Sequence, residues 1–171
     1  MRKAVLSICF SLILLFILAD FYGCSGSSTT TVSPVTETDS AAGFTFTATV
    51  DDTRTQQGGS VNISIILKNV SNTEVVNTDL GGRTIVEVTN ESGQTVWGFA
   101  KERPSTTSTG VVTTGYQFIF NTTWVVESQP GYNIPITPGK YYINVSDTGI
   151  YDPVSEQQVT FSVEPIEVVV S

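Results

Sequence analysis

From Phe44 onward the chain alternates apolar and polar residues with a period of two. Phe44-Thr45-Phe46-Thr47-Ala48-Thr49-Val50 is one such run, and Val61-Asn62-Ile63-Ser64-Ile65, continuing to Leu67-Lys68, is another. Tyr116-Gln117-Phe118 leads to Phe120-Asn121; Tyr141, Ile143 and Val145 alternate with Tyr142, Asn144 and Ser146; Val159, Phe161 and Val163 alternate with Thr160 and Ser162. Successive strand side chains point to opposite faces, so this pattern predicts strands with one buried and one wet face. No helical stripe follows Gly43. Turn residues separate the runs: Gln57-Gly58-Gly59-Ser60, Asn90-Glu91-Ser92-Gly93, and Thr137-Pro138-Gly139 ahead of Lys140. The Asn-first, Gly-last set fits a type I turn joining Thr84–Thr89 to Gln94–Phe99 as a hairpin. About seven to eight short strands in a domain of this length predict an all-β, two-sheet antiparallel sandwich over residues 43–171. Pro165 suits an edge position in the carboxy-terminal run Glu164–Val170.

The first 42 residues follow other rules. Met1-Arg2-Lys3 precedes an apolar run from Ala4 to Ala19, the form of a secretory signal over residues 1–23. An uncleaved anchor is the alternative, because Phe21 and Tyr22 prolong the apolar character. Residues 24–42 are rich in Ser, Thr, Pro and small side chains without an apolar period, and predict a disordered tether. Cys24 stands at the junction. Gly23-Cys24 is similar to a bacterial lipoprotein box, which makes Cys24 a lipidation candidate; an incidental thiol in a secreted protein is the other reading. Either way the chain is expected to be exported, and the lipidated form to sit on a membrane as a lipoprotein.

Charge and composition then remove function classes. Taking Arg2, Lys3 and Asp20 out of 8 basic and 16 acidic residues leaves 6 and 15, a net charge of −9. Nucleic-acid phosphates need Lys/Arg neutralisation, so no nucleic acid is expected as a partner. The chain has no histidine, which removes Ser-His-Asp and Cys-His catalytic pairs and His-based zinc sites. With Cys9 in the signal, Cys24 has no partner for an intramolecular disulfide. No enzyme, no cofactor and no metal is expected.

Three pieces occur in order: "VNISIILKNVSN" ending its strand at Asn69 and followed by Leu80-Gly81-Gly82-Arg83; "VEVTNESGQTVWGFA", with Gly93 in the turn and Trp97 in the return strand; and "GYQFIFNTTW", ending at Trp124, followed by "ITPGKYYINV" with Pro138, Gly139 and Tyr141. Together these resemble the BsuPI family, the intracellular proteinase inhibitor domain, over about residues 59–146. The resemblance implies an immunoglobulin-like β-sandwich and non-enzymatic protein binding, with serine-proteinase inhibition as its specific form. The chain departs from the family pattern at Ala100, where the family has Ser, and in carrying an export signal.

Several residues have a structural and a functional reading. Trp97 and Trp124 fit the core between sheets better than an exposed binding face. Tyr141 fits a strand corner where its hydroxyl bonds backbone. The segment Lys101–Gly110 reads as a long polar loop and the candidate partner contact, with Lys101 or Arg103 suited to an acidic specificity pocket and Pro104 protecting the preceding bond; a mobile hairpin loop is the simpler reading. Asp147, Asp152 and Glu156 offer hard oxygens for Ca²⁺, but without the spacing of a known loop, so a solvated acidic loop is the simpler reading. Asn62, Asn69, Asn90, Asn121 and Asn144 each begin an Asn-x-Ser/Thr sequon and are expected to be accessible. A passive structural or accessory envelope lipoprotein is the competing function.

Overall fold

The computed structural model describes residues 33–72, 74–76, 80–104, 111–152 and 155–171. The expected signal segment, Cys24 and residues 105–110 of the expected contact loop lie outside the described residues. One sheet contains β1 (Val35–Ala41), β2 (Phe44–Val50), β4 (Ser60–Asn69) and β9 (Gln117–Val125), in the order β1-β2-β4-β9. The other contains β3 (Arg54–Thr55), β12 (Ile166–Val170), β10 (Gly139–Asp152), β6 (Gly82–Asn90) and β7 (Thr95–Arg103), in that order, with β11 (Gln157–Ser162) paired to the later half of β10. β5 (Val75–Val76) and β8 (Val111–Val112) form a small separate pair. The pairs are antiparallel except β12 with β3. The protein is therefore an all-β sandwich, as the period-two pattern predicts.

The pattern also fixes which faces meet. Burial alternates along the whole of β2, with Phe44, Phe46, Ala48 and Val50 inward, and along β4 and the first part of β10. These side chains and those of β12 share one continuous core. Phe46 meets Phe161 across the two sheets at 5.7 Å between ring centroids. Trp124 is fully buried and packs on Tyr141 at 5.5 Å, and Trp97 is buried too, so both indoles take the core role.

The expected hairpin forms, but it is longer than its sequence limits. Asn90 Oδ1 accepts from the backbone N–H of Ser92 and Gln94 at 3.1 and 2.9 Å, and Gly93 takes the left-handed backbone the turn needs, at φ +78°. A register shift after Val88 then places Val96 and Trp97 side by side in the core. The return strand runs on through Lys101 and Glu102 to Arg103. These residues belong to β7, not to a loop.

The tether boundary also moves. Val35–Ala41 lies within the residues expected to be tether, yet it forms β1, paired along its full length with β2. Thr36 and Thr49 hydroxyls meet across the pair at 2.9 Å, and Thr38 and Thr47 at 3.1 Å. Asp39 Oδ2 accepts from the backbone N–H of Ser162 at 3.0 Å, which ties β1 to the opposite sheet. An edge strand needs only one half-covered face, so its polar composition conceals it.

The candidate partner-contact end of the sandwich

One end of the sandwich gathers the close of β4, the close of β7, β8 and the start of β9. Two buried polar clusters hold it. The first is built on Asn69, whose side chain is completely buried. Its Nδ2 donates to the carbonyls of Val112 and Thr113 at 3.0 and 3.1 Å, and its Oδ1 accepts from Ser71 N and Oγ at 2.9 and 2.6 Å. Its backbone exchanges bonds with Tyr116 O and Gly115 N at 3.0 and 2.9 Å. A single carboxamide thus satisfies two loops that would otherwise leave buried backbone groups unpaired. Burial removes Asn69 from the expected set of accessible sequons.

The second cluster corrects the sequence reading of Arg103. Arg103 keeps 6% of its surface exposed, and Asp147 none. The guanidinium faces that carboxylate with both terminal nitrogens: Nη2 donates to Oδ1 at 2.6 Å, and Nη1 donates to Oδ2. Arg103 Nε donates to Leu80 O at 2.9 Å, Nη2 to Gly149 O at 3.1 Å, and Nη1 to Thr84 Oγ1 at 3.1 Å. Thr84 Oγ1 in turn donates to Asp147 Oδ2 at 2.6 Å. The guanidinium also lies 5.3 Å over the Phe118 ring. Gly82 leaves the room, since an added Cβ there would meet Arg103 Nη2 and Gly149 O, each at 2.7 Å. A side chain with its donors engaged inside the protein is not free to enter an enzyme's pocket. Lys101 and Pro104, by contrast, are exposed.

Asp147 therefore does not join Asp152 and Glu156 in a cation site. It faces Arg103, while Asp152 accepts from Ser155 Oγ at 2.7 Å at the surface. Among the described residues no group of three acidic, His or Cys side chains is placed to hold a metal.

The clusters present three large apolar side chains at this end: Val70 directly after Asn69, Val111 in β8, and Tyr116 before β9, exposed by 46%, 48% and 40%. Sequence reasoning missed all three. Their signal is faint: Val70 breaks the β4 alternation, and Val111 is the outward member of a Val-Val pair.

Tyr141 takes the strand-corner role expected of it. The Tyr141 hydroxyl donates to Thr137 O at 2.8 Å and accepts from Thr137 N at 3.0 Å, bracing the turn through Pro138 and Gly139. Asn62 is exposed, but its Nδ2 donates to Asp51 Oδ2 at 2.6 Å and its Oδ1 accepts from Thr123 at 2.8 Å. Asn144 Nδ2 donates to Thr89 Oγ1 and Tyr142 O, both at 3.2 Å. Asn121 is exposed on the outer face of β9.

No family model and no curated protein matches the chain. Among solved structures it is similar to the β-glucosidase of Listeria innocua bound to gluconolactone, at 12% identity and a TM-score of 0.40, over 81% of this chain and 16% of that one. It is also similar to the alkylpurine DNA glycosylase AlkC of Pseudomonas fluorescens bound to DNA, at 10% identity and 0.40, over 71% and 28%. The carboxy-terminal domain of wzt matches at 9% and 0.42, over 82% and 74%. Likeness at this level carries no activity or ligand across to this chain.

Proposed function

We propose that this protein is an exported, lipid-anchored, non-enzymatic module that binds another protein through the end of the sandwich described above. The observation that carries the reading is the exposure of Val70, Val111 and Tyr116 on segments pinned from within by Asn69. Aromatic and aliphatic side chains on a rigid base lose little entropy on docking, and Tyr offers both apolar area and a polar tip. The signal-like segment and Cys24 support placement at a membrane surface, and the absence of histidine supports a role without nucleophilic catalysis. The resemblance to BsuPI domains supplies the specific form, inhibition of a serine proteinase. In that form the contact comes from Lys101, Pro104 and the Val111–Tyr116 loop, with Arg103 as internal anchor.

The test has two arms. Titrating the purified protein against a panel of serine proteinases is expected to slow one of them at micromolar concentration, and no slowing of any would remove the inhibitory form. Intact-mass measurement of the membrane fraction is expected to show a chain beginning at a lipid-modified Cys24. A chain retaining Met1, or an unmodified thiol at Cys24, would remove the lipid anchor.

A further inference from the structure

The edges of the two sheets are guarded unequally. β1 turns Glu37 and Asp39 to its inner side, opposite Ala48 and Phe46 of β2, and inward charges at an edge oppose pairing. β3 is only two residues long. β7 carries Lys101 and Glu102, and Tyr132 lies over it, so close that a Cβ on Gly98 would come within 2.5 Å of the tyrosine hydroxyl. β9 has none of these devices. It is nine residues long, Gln117–Val125, with no charge, proline, glycine or register shift, and its only described neighbour in the sheet is β4.

Hydrogen-bond parity shows what that edge offers. Val126 N donates to Gly59 O at 2.9 Å, and Asp51 N donates to Asn62 O at 3.1 Å. In an antiparallel ladder the backbone groups of alternate residues point the same way. Phe118, Phe120, Thr122 and Trp124 therefore bond β4. The N–H and C=O groups of Gln117, Ile119, Asn121 and Thr123, with the N–H of Val125, point to the free side, while Val125 O accepts from Glu127 N at 2.8 Å. Asn121 is the middle residue of this set. Ile119 and Val125 lie on the same outer face, 55% and 46% exposed.

We propose that a second copy of this chain pairs with β9, antiparallel, about a two-fold axis at Asn121. This goes beyond the binding function proposed above and does not depend on it. The axis places Asn121 opposite its symmetry mate, Ile119 opposite Thr123, and Gln117 opposite Val125, so the free-side amides and carbonyls from Ile119 to Thr123 all find partners. Charge favours a second copy here over the other edges of this acidic chain. The chain carries a net −8, yet β9 has no charged residue, so two copies can meet along β9 without like-charge opposition. The pairing is isologous, which closes the assembly at two. It also brings Phe99, 42% exposed and stacked on Phe120 at 5.5 Å, to the seam between copies.

The full chain in mild detergent tests this by sedimentation and by cross-linking. Opposed residues in such a pair have Cα atoms about 5.5 Å apart, within the roughly 4.4–6.8 Å a disulfide spans. Oxidising the Asn121→Cys variant is expected to give a covalent dimer, whereas Thr38→Cys, on β1, gives none. Asn121→Lys sets two cations against each other and is expected to halve the sedimenting protein mass with an unchanged far-UV circular dichroism spectrum. Should that variant lose its fold, the cysteine pair decides alone. A monomeric wild type, equal cross-linking at positions 38 and 121, or a dimer that persists in a folded Asn121→Lys variant would overturn the proposal. So would an internal link from position 121 to Cys24, which would give the edge to the chain's own amino-terminal segment.

Discussion

Arg103 shows how a residue suited to recognition becomes part of the frame. Its guanidinium, the Asp147 carboxylate and the Thr84 hydroxyl satisfy one another in the interior. A complete buried pair adds little net stability, but removing one member strands a charge and costs about 3–5 kcal/mol. Denaturant unfolding of Asp147→Ala is expected to show a loss of that size, while Lys101→Ala stays within about 0.5 kcal/mol of wild type, as exposed substitutions do. Asn69 makes the same point with neutral groups. Asn69→Ala leaves two carbonyls and the Ser71 amide without their partner, so a loss of about 2 kcal/mol is expected in the same measurement. The exposed pair Lys140–Glu167 behaves differently. Its hydrogen bond, then its charge attraction, raises the Lys140 pKa above the ordinary lysine value. A raised pKa stabilises the fold below the unfolded lysine value and loses that contribution as pH climbs through the folded one. Solvent screens the pair, so Lys140→Ala is expected to leave the thermal midpoint at pH 7 within about 1 °C.

At the scale of elements, legibility followed burial. Strands with a fully covered face, such as β2 and β4, announce themselves because every second position must be apolar. β1 was hidden because its inner face is only half covered and holds Glu37 and Asp39. Its evidence in the sequence is the spacing of Thr36 and Thr38, which form cross-strand pairs only once β2 lies beside them. A chain beginning at Gly43, the limit read from composition, is therefore expected to melt at least about 5 °C below one beginning at Ser33. Equal melting temperatures would return residues 33–42 to the tether. The turn at Asn90–Gly93 was legible because its chemistry is local. The reach of β7 to Arg103 was not, because what fixes its end is Asp147, 44 residues further along the chain. Long-range polar pairs leave no periodicity to read. The exposed residues at the contact end are equally silent, since Val70, Val111 and Tyr116 differ from core residues only in where the fold puts them.

At the scale of the molecule, the two polar clusters and the apolar core have separate tasks. The core joins the sheets, and the clusters hydrogen-bond the backbone at one end, where Val70, Val111 and Tyr116 stand exposed. That end, rather than the guanidinium of Arg103, is the surface this account assigns to recognition. The most direct measurement places a photo-cross-linking amino acid at position 116, or at position 87 on the outer face of β6, in cells that make the protein. The account predicts a discrete protein adduct from position 116 and none from position 87. No adduct at 116, or the same adducts from both positions, would contradict it.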